Sequence, residues 1–474
     1  MPEGKGPLAN PPHQIERAAP RSVGFQAPRR EVATALRATG LPQLARILAT
    51  ALLSVWDAAL ATVLGALQRQ AAPQRSERRA AAVAARWVAT LGALKGPYVK
   101  LGQFAAIRVD LLPLTATRAL ASLRDRVPPL PFERIRPIVE SELGAPLEAH
   151  FASFETTPLG AASIAQVHRA TLRTGEAVAV KVQYPWLQAS LPADLAIIRA
   201  GLRLFARLTG RSPDAPRRLY DEFAAGLREE LDFEREARVA REIADNLAKD
   251  ERVVVPEIFS ALSTRRVLTM RFYAAVGIDD RAGLARLGVQ PREVLTVLAR
   301  AYATQVFVDG LFHADPHPGN LFVLDEADAA TSPRLLFVDF GLSRRLEPEL
   351  RHELRQGLYA LMKRDLAAFL AGMDRMGMIA PGAHAEVRRA VESMFERISS
   401  RGGALALGGG DVLSLKDEAK ALLQGTPGLE LPTDLLLYAK TLTYVFSLGA
   451  DIDPEVDMMK LSLPFALRFL AAQD

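Results

Sequence analysis

Asp315, Asn320 and Asp339 are the residues of this chain whose types and spacing could do chemistry. The first two stand in His313-Ala314-Asp315-Pro316-His317-Pro318-Gly319-Asn320, and the third opens Asp339-Phe340-Gly341. A carboxylate followed closely by an amide, then a second carboxylate delivered by a strand, is the set that phosphoryl transfer from ATP uses. In that arrangement Asp315 orients the attacking group. Asn320 and Asp339 hold Mg²⁺ on the phosphates, because Mg²⁺ takes hard oxygen ligands, keeps part of its water and needs few ligands from the protein. An Asp-Pro turn after a buried helix is the plain alternative. It is disfavoured because Phe337-Val338 supply a strand that would present Asp339. His313-x-Asp-x-His317 also has metal-hydrolase spacing, but prolines flank His317 and no other His-rich segment completes such a site.

Other elements must position these groups. The apolar runs 321–324 and 335–338, joined by a polar loop, read as a hairpin with Asn320 at one end and Asp339 at the other. Upstream, 163–172 alternates as a strand, 173–176 is a turn, and 177–182 is a second strand carrying Lys181. A lysine there projects toward nucleotide phosphates and needs a carboxylate from a helix to fix it. Glu230, Asp232 and Glu236 are the candidates; Glu229, Asp232 and Glu236 can share one face of a helix over 218–249. A solvated acidic face is the competing reading of each.

Gly160-Ala161-Ala162-Ser163 stands where a loop covering the phosphates belongs. Its alanines restrict positive φ, which makes it stiff, and Ser163 adds a hydroxyl for phosphate or metal. The runs 253–259 and 267–273 read as two further strands, and the expected adenine-binding hinge follows 267–270, around Arg271, Phe272 and Tyr273. A further helix is read over 194–208. After Gly341, residues 342–347 lead to Pro348, which suits the first turn of a helix running to about 370. So little chain leaves no platform for a peptide, so a peptide substrate is disfavoured.

With 474 residues, two or three folded units are expected. Hydrophobic content of 49% and charged content of 24% suit a globular protein. A net charge of +5 without aromatics among the basic residues is no nucleic-acid signature, but it suits weak attraction to an anionic membrane surface. The absence of cysteine removes disulfides, thiolate zinc sites and cysteine catalysis. Residues 1–30 read as a disordered tail without a signal peptide, 47–67 as a buried amphipathic helix, and the glycines of 402–410 as a flexible loop. The fold class expected is α+β and two-lobed. A helical extension over 31–150 precedes a β-rich lobe over 151–275 and a helical lobe over 276–474. A cytoplasmic protein, peripheral at the membrane surface, is expected.

These residues resemble the UbiB/AarF family of atypical kinase-like proteins, linked to ubiquinone biosynthesis. The most specific match is Lys100-Leu101-Gly102-Gln103, similar to the family's Lys-x-Gly-Gln signature. Spacing alone makes Lys100 a solvated charge beside an amphipathic face. The resemblance implies instead a helical extension across the site, with Lys100 and Gln103 gating access and Glu230-Leu231-Asp232 meeting them. It leaves Glu236 as the partner of Lys181, and likens Gly160 to Ser163 to an alanine-rich loop. It implies ATP and Mg²⁺ as cofactors, a lipid-like or quinone-pathway small molecule as substrate, and biosynthetic-complex proteins as partners. Arg271 departs from the acidic residue often found at the family's hinge. The tail 461–474 is too short to span a membrane. Two alternatives are a phosphotransferase of the aminoglycoside-kinase type and a catalytically silent nucleotide-binding scaffold.

Overall fold

A computed structural model of the chain describes residues 73–94, 96–107, 119–120, 129–209, 214–400, 422–423 and 425–471. The expected tail over 1–30, the apolar stretch 47–67 and the glycines of 402–410 lie outside the described residues.

Helices α1 (Pro73–Leu94) and α2 (Pro97–Ile107) come first, and α2 carries Lys100 to Gln103. Helices α3 (Phe132–Leu143) and α4 (Leu147–His150) lead into β1 (Phe151–Phe154), β2 (Gly160–Ala161), β3 (Ala165–Leu172) and β4 (Ala177–Gln183). Then come α5 (Leu187–Thr209), α6 (Asp214–Glu230), α7 (Phe233–Leu247), β5 (Val253–Val254) and β6 (Val267–Arg271). Strands β1, β3, β4 and β6 lie in that order in one antiparallel sheet, with β2 paired to β3. Alternation puts the β-branched Val178, Val180 and Val182 into the core with no exposure and turns Lys181 to the opposite face. Leu130 docks on this sheet, donating its N–H to Gln166 Oε1 at 2.8 Å.

A second sheet, in the order β5-β10-β9-β7, joins β7 (Ala275–Gly277), β9 (Leu321–Leu324) and β10 (Leu335–Phe337). Between β7 and β9 run α8 (Arg281–Arg286), α9 (Pro291–Ala303) and β8 (Leu311–Phe312). The expected hairpin is present: Phe337 pairs with Leu321 and Leu335 with Val323. Asn320 immediately precedes β9, and Val338 N–H donates to Asn320 O at 3.0 Å beyond the end of β10. Strand β11 (Arg344–Arg345) pairs back onto β8, and α10 (Pro348–Lys363), α11 (Leu366–Arg375), α12 (His384–Ser400), α13 (Thr433–Ile452) and α14 (Met458–Ala471) follow.

Three elements differ from expectation. The helix read over 218–249 is two, because Asp232 leaves the helical conformation and caps α7 by accepting the N–H of Arg235 at 3.0 Å. Buried Gln183 accommodates the break by donating to Leu231 O at 2.7 Å. The helix read from Pro348 to about 370 ends at Arg364, whose φ of +57° is a left-handed stop, and Asp365 caps the next helix. The strand read over 253–259 is only Val253–Val254. Among the described residues no helix is long and apolar enough to cross a membrane.

Candidate active site

Lys181 organises the site. Its ammonium lies 2.8 and 2.9 Å from the two oxygens of Glu236 and 2.9 Å from Asp339 Oδ1. Glu236 reaches it because α7 buries the stripe Phe233, Glu236, Ala237, Ala240, Ile243 and Leu247, which places one carboxylate on an otherwise apolar face. Burial pushes Glu236 up to about 7, against the pull of Lys181. Burial also opposes the charge of Lys181, but Asp339 and Glu236 outweigh it and hold Lys181 above its ordinary value, as an ammonium. Asp339 has a half-exposed side chain; its desolvation is overcome by Lys181, with help from Lys100, so it stays below the usual carboxylate range.

Asp339 sits at φ +64°, a left-handed conformation that a non-glycine residue adopts only when its surroundings hold it there. His313 supplies part of that hold. Its Nε2 lies 3.0 Å from Val338 O, which can only accept, so Nε2 carries the proton; Nδ1 faces Tyr302 OH at 3.2 Å. The ring also stands edge-on to Phe340 at 5.3 Å. His313 is buried and His317 is exposed, so the two do not converge, and no three His, Cys, Asp or Glu side chains among the described residues do so as a metal cluster.

Asp315 and Asn320 meet directly. Asn320 Nδ2 donates to Asp315 O at 3.1 Å and to Asp315 Oδ2 at 3.2 Å, which leaves its amide oxygen as the acceptor end. A half-exposed carboxylate on Asp339 and that amide oxygen, at the same open end of the hairpin, are hard oxygen donors that fit Mg²⁺. Asp315 Oδ1 faces Lys440 of α13 at 3.5 Å.

On α2, Lys100 forms an ion pair with Glu230 at 2.5 Å, with both side chains 12% exposed. Glu230 adjoins the Lys181 cluster: a Cβ built on Gly341 would lie within 3.6 Å of Glu230, Glu236 and Asp339. Gln103 is half-buried on the same helix. Tyr98 fixes α2 to α5 by donating to buried Asp194 at 2.9 Å. Asp232 is spent as the α7 cap.

Gly160 and Ala161 lie in β2, opposite Val167 and Gln166, and Ala162 N–H donates to Ala165 O at 2.8 Å. Ser163 is buried, with a hydroxyl that has no hydrogen-bond partner. Arg271 ends β6 and pairs with Glu257 at 2.5 Å; Phe272 donates its N–H to Ala177 O at 2.9 Å, and Tyr273 packs against the second sheet. These three residues therefore bridge the two sheets. Sequence reasoning missed Lys440, and it missed Arg235 and Arg344. Arg235 donates to the carbonyls of Gly341 and Ser343, and Arg344 pairs with Glu229 at 2.9 Å, so both hold the segment after Asp339.

The sequence profile of the ABC1 atypical kinase-like domain matches residues 122–371. A probable protein kinase UbiB of Marinobacter nauticus is 32% identical over 377 residues, covering 78% of this chain and 67% of that protein. The chloroplastic protein ACTIVITY OF BC1 COMPLEX KINASE 8 of Arabidopsis thaliana is 32% identical over 417 residues, 82% of this chain. The chain spans about half of that relative, 54% of its length. A solved Mycobacterium tuberculosis protein in complex with erythromycin shares the fold, with a TM-score of 0.52 at 24% identity over 80% of this chain and 94% of that one. The chain, α+β and kinase-like in fold, belongs to the ABC1 atypical kinase-like family.

Proposed function

We propose that the chain is an ATP-dependent phosphotransferase or ATPase of the UbiB type. It acts on a lipid-like or quinone-pathway molecule, or on water, in support of isoprenoid quinone biosynthesis or lipid handling. The observation that carries this reading is Lys181 held between Glu236 and Asp339, with Asp315 and Asn320 paired at the same open end of the β9–β10 hairpin from which Asp339 emerges. Lys181 binds the α- and β-phosphates and Glu236 keeps it aimed. Asp315 orients the attacking oxygen and accepts its proton as that oxygen bonds to the γ-phosphorus. The bond from the γ-phosphorus to the bridging oxygen breaks, and ADP leaves with the electron pair. Asn320 and Asp339 hold Mg²⁺, which when bound supplies charge neutralisation on the phosphates. Gly160 to Ser163 lie over the phosphates, and Arg271 to Tyr273 offer backbone groups to the base.

A small substrate rather than a peptide is favoured by the short path from Gly341 to α10, whose residues Arg344–Arg345 are already paired to β8. The basic pI of about 9.4 supports work at an anionic membrane surface from the cytoplasmic side. The similarity to a probable protein kinase UbiB supports the UbiB-type reading, to which a quinone context and pathway proteins as partners belong as parts of the proposal.

Quinone profiles of cells lacking the protein, complemented by wild type or by Asp339→Asn, test the reading alongside ATP hydrolysis measured with and without anionic liposomes. Quinone restored by wild type alone, with turnover stimulated by the liposomes, is the expected result. ATP binding without turnover under every condition, with quinone restored equally by both forms, would establish a scaffold instead.

A further inference from the structure

Phosphoryl transfer spreads negative charge over the three equatorial oxygens of the group in flight, and a cation aimed at that charge lowers the barrier. The segment 313–320 contains no Lys or Arg. The one basic group that meets Asp315 among the described hydrogen bonds and ion pairs is Lys440, whose Nζ lies 3.5 Å from Asp315 Oδ1. Residue 440 lies well outside the part of the chain that matches the family's domain, 122–371.

Helix α13 is pinned under the loop that carries Asp315. Thr441, fully buried, donates its hydroxyl to Leu437 O at 2.8 Å and lies 3.3 Å from Ala314 O. Tyr438 stands edge-on to the unexposed Phe312 at 6.0 Å. Ala314, Phe312 and the half-buried Tyr438 and Leu442 form one apolar cluster. The backbone at Lys440 is therefore fixed relative to Asp315, while its side chain keeps 23% exposure. A second seat is available one turn on: Nζ lies 5.5 Å from the ring centroid of Tyr444. Asn320 occupies the other oxygen of Asp315, so the two oxygens face different partners.

We propose that Lys440 is the cation of the transferred phosphoryl group. It rests on Asp315 while the cleft holds no nucleotide and turns to the γ-phosphate when one is loaded, supplying from the C-terminal helices the charge that the 313–320 loop lacks. The inference deepens the ATP-dependent reading above and rests on it. It assigns α13 a direct part in the reaction.

Lys440→Met and Lys440→Arg in the full chain test it, with Lys460→Met as a control, since Lys460 is 83% exposed on α14. Three quantities are measured: ATP turnover, affinity for Mg-ADP, and affinity for Mg-ADP with aluminium fluoride, a mimic of the phosphoryl group in flight. Lys440→Met should lose about 10²- to 10³-fold in turnover and a comparable factor in preference for the fluoride complex. Its Mg-ADP affinity should stay within about threefold of wild type, and Lys440→Arg should regain at least about tenfold in turnover. Turnover of Lys440→Met within about threefold of wild type overturns the proposal. So does equal weakening toward ADP and its fluoride complex, which marks a structural role. If wild type hydrolyses no ATP, the enzymatic reading fails. The fluoride preference still decides Lys440, since its loss in Lys440→Met supports the contact and its retention refutes it. A wild type without that preference overturns both.

Discussion

At Lys181 one ammonium serves two carboxylates that burial treats differently. Glu236 is enclosed and pushed up to about 7, whereas the half-exposed Asp339 is held low. Glu236→Gln removes the enclosed charge but leaves Lys181 its contact with Asp339. The stability loss should therefore fall below the ~3–5 kcal/mol of a fully orphaned buried charge, while kcat/KM for ATP drops about 10- to 100-fold. Denaturant unfolding and steady-state kinetics check the two halves separately. Tyr98→Phe leaves Asp194 without its phenol donor, and thermal unfolding should show a loss of about 1–2 kcal/mol. The pairing of Lys181 with Glu236 was legible in part. Phe233, Ala237, Ala240 and Ile243 define a buried stripe, and Glu236 lies on it, while Glu230 lies on another helix. Lys440 carried no such signal, since an isolated lysine in an amphipathic helix resembles any solvated charge until the fold brings it to Asp315.

Among the elements, the β9–β10 hairpin was readable because both strands are short apolar runs with polar ends. The break between α6 and α7 was not, because what stabilises it is Gln183 on β4, a partner remote in sequence. Local propensity registers only that the acidic stretch favours a helix. The loop before β3 shows the reverse case. Gly160 stands in an ordinary negative-φ strand, and a Cβ added there meets nothing within 4 Å. Gly160→Ala should therefore leave the fold intact and raise stability by about 0.4–1 kcal/mol through the unfolded chain, as read by thermal unfolding. A loss of stability would mean that the position does not tolerate a side chain in the folded protein.

In the molecule as a whole, helices from both ends of the chain meet at a site built from its middle. Helix α2 brings Lys100 to Glu230, and α13 brings Lys440 to Asp315. The α+β, kinase-like class was legible because a strand-rich run of the chain is followed by a helical one with an inserted hairpin. The return of the C-terminal helices to the site was not, since it depends on packing between α13 and the cluster around Phe312. If α2 limits access, Lys100→Met should release Mg-ADP about 3- to 10-fold faster in stopped-flow displacement, because lid opening commonly governs product release. Unchanged release would separate α2 from gating.

The central claim is that Asp339, Asn320, Lys181 and Asp315 form a working phosphoryl-transfer site. ATP hydrolysis by Asp339→Asn and wild type, each with nucleotide affinity measured in parallel, tests it most directly. The account predicts loss of turnover by at least about 10²-fold in a variant that still folds, though with a lowered unfolding temperature, since Lys181 loses the Asp339 carboxylate while no packing is disturbed. Turnover retained in Asp339→Asn would contradict it.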